Sequence, residues 1–285
     1  MDDAWKVGAY LSRLAGEGLK PCINTSPSAA ARICLAMGDR GTSLRSVTFL
    51  LGGEPLTRAR RDVIEASGAR AVPTYGFTEG GGVGSQCPTP TAPDDVHICL
   101  DAFEVIQHDR ILNEAERVGA LLFTSLRPSS PKVMLNAEIG DYGVLEERRC
   151  GCLFDELGYI KHLHTIRSFQ KLTGEGVTVI GAELFPVLEG SLPRQFGGTV
   201  ADYQLVEVQD AKGLARYDLL VSPRVGPVDE GRLIKAFLDE VGRLRPTYRM
   251  MADLWASAGL ITVQRRDPIP TGWGKVLPFR TLRGA

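Results

Sequence analysis

The chain has 285 residues, of which 44% are hydrophobic, so it can bury one large core or two modest ones. Its 33 Lys and Arg residues nearly balance its 34 Asp and Glu residues, which gives a formal net charge of -1. No global field therefore favours nucleic acid or an anionic membrane surface as a partner. The sequence contains no signal-peptide pattern and no run apolar enough to span a bilayer, so we expect a cytoplasmic protein that does not bind membranes.

The first part of the chain alternates strand and helix patterns. Residues 47–54 and 69–76 are apolar runs typical of buried strands, and residues 58–68 between them are typical of a helix. This β-α-β order predicts an α/β sheet whose strand ends carry ligand-binding loops. Residues 80–95 are rich in Gly, Pro, Thr and Asp and predict a loop. Three further strands are predicted, in FEVIQ, GALLFTSL and YGVLE.

From about residue 166 the pattern changes. A strand at 177–181 is followed by a helical segment, two strands, a helical region that reaches Gly259, and a last strand. Residues 229–244 predict an amphipathic helix, because apolar side chains recur there at helical spacing. The sequence thus predicts an α/β domain with a mixed sheet and a small β subdomain over residues 1–165, and a small α+β domain of order β-α-β-β-α-β over residues 166–285.

Polar motifs stand at the ends of the first two predicted strands. Residues 52–55 read GGEP, and residues 75–79 read YGFTE. Either motif alone is compatible with an ordinary turn. Together and in this order they resemble acyl-adenylate-forming ligases of the phenylacetate-CoA ligase type.

Three later landmarks extend the resemblance. Residues 131–141, PKVMLNAEIGD, are similar to a segment of these ligases that ends in Gly-Asp. Arg167 stands where the family has the arginine that introduces its carboxyl-terminal domain. Residues 270–275, PTGWGK, resemble the last signature of the family. Landmarks in this order, over about 230 residues, are more specific than any one motif.

The resemblance implies roles in nucleotide binding and acid activation. Tyr75 would stack on adenine, Thr78 would contact the α-phosphate and Glu79 would hold Mg²⁺. Asp141 would accept the ribose hydroxyls, and Lys275 would be the catalytic cation. Without the flanking landmarks, Asp141 also fits a loop carboxylate and Lys275 a solvated surface lysine. The other cofactor-binding positions that the resemblance implies are Gly52, Gly53, Glu54, Pro55, Gly76 and Arg167.

The implied reaction is ATP-dependent activation of a small carboxylic acid to acyl-AMP, with an aryl or arylacetic acid favoured and coenzyme A as an acceptor. The carboxyl-terminal domain of the family moves between the two half reactions. No Ser/Thr/Gly-rich phosphate-binding loop precedes Gly52, so the resemblance covers only the later part of the family's N-terminal domain. The alternative is a split or non-catalytic AMP-binding subunit that needs a partner chain for ATP phosphate binding. A homodimer is compatible with either reading.

Several Cys and His residues stand where relatives of this ligase type carry a Cys, a His and a CxC cluster. Thiolate and imidazole are the ligands of structural Zn²⁺, and buried free thiols are the alternative. Cys99 is a substitute ligand, whereas Cys22 and Cys34 are expected in the core. His162 has no spacing that marks a ligand, and a satisfied polar role is predicted for it. The zinc ligands that the resemblance implies are Cys87, His97, Cys150 and Cys152.

Overall fold

The computed structural model describes residues 3–113, 116–168, 171–174, 177–209, 215–272 and 274–282. The chain forms two compact units, Met1–Phe169 and Gln170–Ala285. The predicted fold class is confirmed, because a large mixed sheet with helices is followed by a second, smaller sheet. None of the described helices combines the length and the apolar composition that a membrane crossing requires.

Nine described strands of the first unit form one sheet, in the order β1-β2-β3-β4-β5-β9-β8-β7-β6. The strands are β1 Cys22–Thr25, β2 Thr48–Leu51, β3 Arg70–Phe77, β4 Gly81–Gln86, β5 Val96–Ile98, β6 Phe103–Asn113, β7 Glu116–Ser125, β8 Ala137–Glu147 and β9 Lys161–Ser168. The helices are α1 Ala4–Gly16, α2 Pro27–Gly38, α3 Arg58–Ala66 and α4 Leu153–Glu156. Strands β1 to β3 run parallel and the other neighbours pair antiparallel.

The predicted β-α-β unit is confirmed as β2-α3-β3. Thr57 caps α3 by accepting the N–H of Arg60 at 3.2 Å, and Ser26 caps α2 by accepting the N–H of Ala29 at 3.3 Å. These caps fix where each helix begins. One buried cluster joins α1, α2 and α3 to the parallel strands, and its members include Leu11, Ile33, Phe49, Ile64 and Ala71.

The loop predicted over residues 80–95 is wrong in its first part, because residues 81–86 form β4. This strand pairs with β3 and β5, and Val83 is completely buried. A Cβ on Gly84 would lie 2.9 Å from the backbone oxygen of His97, and one on Gly76 would lie 2.4 Å from that of Gly81. Glycine composition suggested a loop, but here it permits strands to approach closely.

The second unit contains a four-stranded sheet of order β14-β13-β12-β15 and a separate hairpin. The hairpin strands are β10 Lys171–Gly174 and β11 Val177–Ile180. The sheet strands are β12 Tyr203–Gln209, β13 Ala215–Val221, β14 Ile261–Arg265 and β15 Phe279–Leu282. The helices are α5 Leu192–Phe196, α6 Glu230–Leu244 and α7 Pro246–Ser257, and helical turns at Gly181–Leu184 and Pro186–Ser191 precede α5.

The predicted elements of this unit occur in the predicted order, but two further strands, β10 and β15, were not predicted, and the first predicted strand belongs to a separate sheet. The strand predicted at 177–181 pairs with β10, and β15 takes the sheet edge beside β12. Phe279 of β15 is only 8% exposed and joins the core, and its burial favours the position of β15 beside β12. The helix predicted at 229–244 is confirmed as α6. Asp229 caps it by accepting the N–H of Arg232 at 2.9 Å.

Candidate functional site

The first two polar motifs lie side by side at one edge of the large sheet. Strands β2 and β3 are parallel neighbours, so their carboxyl ends emerge together. Thr74 donates from Oγ1 to the backbone oxygen of Leu51 at 3.2 Å, just before both motifs begin. Gly53 has φ 78°, a conformation that glycine adopts without strain. Residues 52–55 therefore form a turn beside the end of β3.

The Glu54 carboxylate is directed into the protein. Its Oε1 accepts the N–H of Ser28 at 2.7 Å. Its Oε2 forms an ion pair with Arg60 Nη1 at 3.0 Å, without hydrogen-bond geometry. The two side chains are only 1% and 3% exposed. Glu54 thus joins the 52–55 turn to α2 and α3.

Tyr75 and Asp141 meet although three strands separate β3 from β8 in the sheet. Tyr75 Oη donates to Asp141 Oδ2 at 2.8 Å, which requires the sheet to curl. The Tyr75 ring packs 6.3 Å from Phe77 and 6.1 Å from Phe123, measured between centroids. Burial raises the pKa of Asp141, against the opposing hydrogen bonds from Tyr75 and Ser168. Burial also raises the pKa of the Tyr75 hydroxyl, so this group keeps its proton and donates the hydrogen bond to Asp141.

Thr78 and Glu79 lie in the turn between β3 and β4. Both side chains are exposed, and neither has a hydrogen bond or ion pair to any described residue. Gly76 precedes them, where the close approach of Gly81 leaves no room for a side chain. The turn therefore presents one hydroxyl and one carboxylate to solvent, three and four residues beyond Tyr75 along the chain.

Arg167 lies on β9, next to the strand that carries Asp141. Its Nη1 donates to Asp94 Oδ2 at 3.0 Å. Asp94 also accepts the N–H groups of Thr165 and Ile166 at 2.9 and 3.0 Å. Thr165 has φ 54°, so these bonds stabilise a left-handed residue just before Arg167. Asp94 thereby fixes the approach to Arg167.

Lys275 belongs to the second unit and ends a tight turn. The N–H of Thr271 donates to the Lys275 backbone oxygen at 2.8 Å, and the N–H of Lys275 donates to Thr271 Oγ1 at 3.2 Å. Gly274 has φ 77° and donates to Thr271. The turn is thus closed by its own backbone, and Lys275 is half-buried. Trp273, within the same signature, lies outside the described residues.

A cluster of thiols and imidazoles lies where β4 ends, beginning with Cys87. The potential ligand atoms of Cys87, His97, Cys150 and His162 all lie within 4.8 Å of one another. Cys152 Sγ lies 3.2 Å from His97 Nε2 but is not in that four-atom group. The sequence prediction missed His162, because it enters only through the pairing of β5 with β9, in which His97 lies opposite His162. No local spacing signals this pairing.

The donors of this cluster fit a tetrahedral zinc ion. His97 Nδ1 donates to the Tyr159 backbone oxygen at 2.6 Å, which leaves a lone pair on its Nε2. His162 Nδ1 lies 3.0 Å from Asp95 Oδ1, and its buried Nε2 has no hydrogen-bond partner among the described residues. Thiolate and imidazole are the ligands that structural Zn²⁺ prefers.

No protein-family model and no curated protein matches the sequence. Solved structures match its fold. A 2-hydroxyisobutyryl-CoA ligase in the postadenylation state, in complex with R3-HIB-AMP, superposes with a TM-score of 0.63 at 13% identity, over 98% of this chain and 57% of that one. The anthranilate CoA ligase AuaEII in complex with anthranoyl-AMP gives 0.57 at 15% identity, over 96% and 51%. The amide bond synthetase McbA from Marinactinospora thermotolerans gives 0.54 at 17% identity, over 95% and 53%.

The chain spans little more than half the length of these enzymes, and at such low identity the likeness concerns the fold. The expected resemblance to acyl-adenylate-forming ligases is therefore confirmed at the level of the fold. The chain has the fold of these ligases over about half of their length.

Proposed function

We propose that the chain acts in the ATP-dependent activation of a carboxylic acid to acyl-AMP. The observation that carries this proposal is the convergence at one sheet edge of the 52–55 turn, the Tyr75–Asp141 pair, and the exposed Thr78 and Glu79. The site offers an aromatic ring, a carboxylate for hydroxyl groups, and a hydroxyl with a second carboxylate. These are the groups that an adenine nucleotide with a divalent cation requires.

The environment of each side chain supports the role proposed for it in nucleotide binding. The Tyr75 ring, held by Asp141, offers a face for adenine, and Asp141 accepts ribose hydroxyls. Thr78 donates to the α-phosphate. Glu79 would hold Mg²⁺, because this ion prefers carboxylate and phosphate oxygens as ligands. When bound, the ion would neutralise part of the phosphate charge.

Lys275 is the proposed catalytic cation. A substrate carboxylate oxygen bonds to the α-phosphorus while the bond from that phosphorus to the pyrophosphate oxygen breaks. Negative charge then accumulates on the transferring group and on pyrophosphate, and a positioned ammonium stabilises it. The closed turn from Thr271 to Lys275 supports this role, because it limits the positions of the Lys275 backbone.

The substrate and the acceptor are further parts of the proposal. We favour an aryl or arylacetic acid as the substrate, because the motifs resemble those of phenylacetate-CoA ligases. The structurally similar AuaEII contains anthranoyl-AMP, whereas the 2-hydroxyisobutyryl-CoA ligase takes an aliphatic acid. Coenzyme A is the favoured acceptor of the acyl group. An amine is the competing acceptor, because an amide bond synthetase has a similar fold.

The thiol and imidazole cluster is proposed as a structural zinc site. Its members come from the end of β4, from β5, from the segment after β8 and from β9. A metal bound there would join segments that lie far apart in sequence. Asp95, Cys87 and His162 are completely buried, which suits a closed structural site.

The test is ATP–pyrophosphate exchange with a panel of aryl, arylacetic and short aliphatic acids, beside calorimetric titration with AMP. Acid-dependent exchange, with acyl-AMP detected by mass spectrometry, is expected. Binding of AMP without exchange for any acid would favour the alternative, an AMP-binding subunit that needs a partner chain for the phosphates. If neither AMP nor ATP binds, both functions are rejected.

A further inference from the structure

The cluster contains five thiol or imidazole donors, one more than a tetrahedral metal takes. Cys87, His97 and Cys150 belong to it on any choice, so the open question is whether Cys152 or His162 is the fourth ligand. The motif resemblance implies Cys152. The arrangement of the side chains favours His162.

The sheet pairing places His162 against the cluster. His97 and His162 are direct partners on β5 and β9, so their side chains share one face of the sheet. Their ring centroids lie 4.0 Å apart. The ligand atoms of both, with those of Cys87 and Cys150, lie within 4.8 Å of one another, which is close enough for one metal ion to be held between them.

The His162 Nε2 atom is otherwise unexplained. The side chain is 0% exposed, and this nitrogen has no partner among the described residues. A buried polar atom without a partner destabilises a fold, because it has lost its hydrogen bonds to water. A bound metal ion would remove that penalty.

Asp95 holds His162 in the tautomer that a metal ligand needs. The carboxylate can only accept, so the contact of 3.0 Å between Asp95 Oδ1 and His162 Nδ1 places the imidazole proton on Nδ1. Arg148 Nη2 donates to Asp95 Oδ2 at 2.7 Å and also lies 3.0 Å from His162 Nδ1. Since Asp95 Oδ1 accepts the Nδ1 proton, the arginine and the imidazole are two donors to the same carboxylate and do not bond to each other. The lone pair is therefore on Nε2, which is the second-sphere arrangement that orients metal-binding histidines.

We propose that His162, positioned by Asp95, completes a site of two thiolates and two imidazoles with Cys87, His97 and Cys150, and that Cys152 is a spare thiol beside it. This inference rests on the proposed zinc site. Cys152 immediately precedes α4, and its Sγ is close to His97 Nε2 without joining the four mutually close atoms. Two thiolates also balance the charge of Zn²⁺, whereas three would leave a net negative charge in a buried site.

The test counts thiolates on the metal in the full chain, after replacement of Zn²⁺ by Co²⁺. The intensity of the thiolate-to-cobalt charge-transfer band rises with the number of thiolate ligands, so it separates two from three. We expect the same intensity in wild type, in Cys152→Ser and in the control Cys99→Ser. Cys150→Ser should lose about half of it.

Affinity for Zn²⁺, measured by competition with a chelator, gives a second readout that is independent of enzyme activity. Asp95→Asn should weaken Zn²⁺ binding by about 10–100-fold, and His162→Ala by more. If Cys152→Ser lowers the charge-transfer band by a third, Cys152 is the ligand and the role of His162 is rejected, while the zinc site stands. If neither metal binds to the chain, the zinc site is rejected as well. The cobalt spectra of wild type and Cys152→Ser decide the assignment even if His162→Ala fails to fold.

Discussion

The Tyr75 hydroxyl donates to Asp141 at 2.8 Å, which joins two landmarks that lie 66 residues apart in the sequence. The bond fixes the tilt of the Tyr75 ring. It also occupies part of the carboxylate proposed to bind ribose. Nucleotide affinity and local stability should therefore depend on the same contact, and substitutions can separate the two.

Tyr75→Phe keeps the ring and removes the donor. Stability should fall by about 1–3 kcal/mol, because a buried carboxylate loses a hydrogen bond. AMP affinity should fall much less than in Tyr75→Ala, which also removes the stacking surface. Urea unfolding and calorimetric titration measure the two effects. Tyr10→Phe, at a tyrosine that is 54% exposed, is the control and should stay within about 0.5 kcal/mol of wild type.

Asp141 should also make stability depend on pH. Burial raises its pKa above the unfolded value of about 3.9, so the folded state keeps a proton that the unfolded state has lost. Stability should fall as pH rises from about 4 through the raised pKa, and the loss should be complete above it. Asp141→Asn lacks this loss. Its stability relative to wild type should increase over that window, as urea unfolding at several pH values will measure, and a difference that does not vary with pH would contradict the assignment.

Lys275→Ala should abolish acid-dependent ATP–pyrophosphate exchange while AMP binding is kept. Loss of a preorganised charge on the transition state lowers rates by about 100–1,000-fold. Lys235→Ala is the matched control, because Lys235 is an exposed lysine on α6 of the same unit. If exchange by Lys275→Ala equals that of the control, Lys275 is not the catalytic cation.

The sequence predicted the elements whose signals are local. The β2-α3-β3 unit has two apolar runs around a capped amphipathic helix, and α6 has apolar residues at helical spacing, so each is readable in a short window. Because β2 and β3 are neighbouring parallel strands, the motifs that follow them lie together at one edge of the sheet.

Features that depend on tertiary contacts escaped prediction. Strand β4 is glycine-rich because neighbouring backbones approach it closely, which a single sequence does not reveal. His162 meets His97 only through strand register, and β15 is a short segment selected by the burial of Phe279. Cys22 was expected in the core but is exposed on β1, because this strand is the sheet edge among the described strands.

Removal of one partner of the buried ion pair of Glu54 and Arg60 should strongly destabilise the protein around the 52–55 turn. Glu54→Gln leaves Arg60 buried without its counter-charge, close to Arg32, whose pKa burial lowers. Breaking a buried pair from one side is expected to destabilise by about 3–5 kcal/mol. Replacing both Glu54 and Arg60 by apolar residues should be less harmful than the sum of the single changes. Arg58→Ala, at an exposed position of α3, is the control for denaturant unfolding.

Cys34 and Cys22 should differ sharply in reactivity. Burial raises the pKa of the Cys34 thiol from 9.0 to about 11, and the side chain accepts a hydrogen bond from Ser67 at 3.3 Å. The thiolate is the reactive form, so iodoacetamide at pH 8 should label exposed Cys22 and spare Cys34 until the protein unfolds. Peptide mapping by mass spectrometry reads both sites in one sample.

The raised pKa of Cys34 also predicts how the stability of the protein changes at alkaline pH. Between pH 9 and about 11 the unfolded thiol loses its proton while folded Cys34 keeps it, so stability should be constant below that window and fall within it. Cys34→Ala lacks this titration and isolates it from other alkaline groups such as Tyr203, whose pKa burial raises to about 12. The stability difference between wild type and Cys34→Ala should therefore shrink as pH rises from 9 to 11. A constant difference would mean that the folded protein ionises Cys34 as readily as the unfolded chain does.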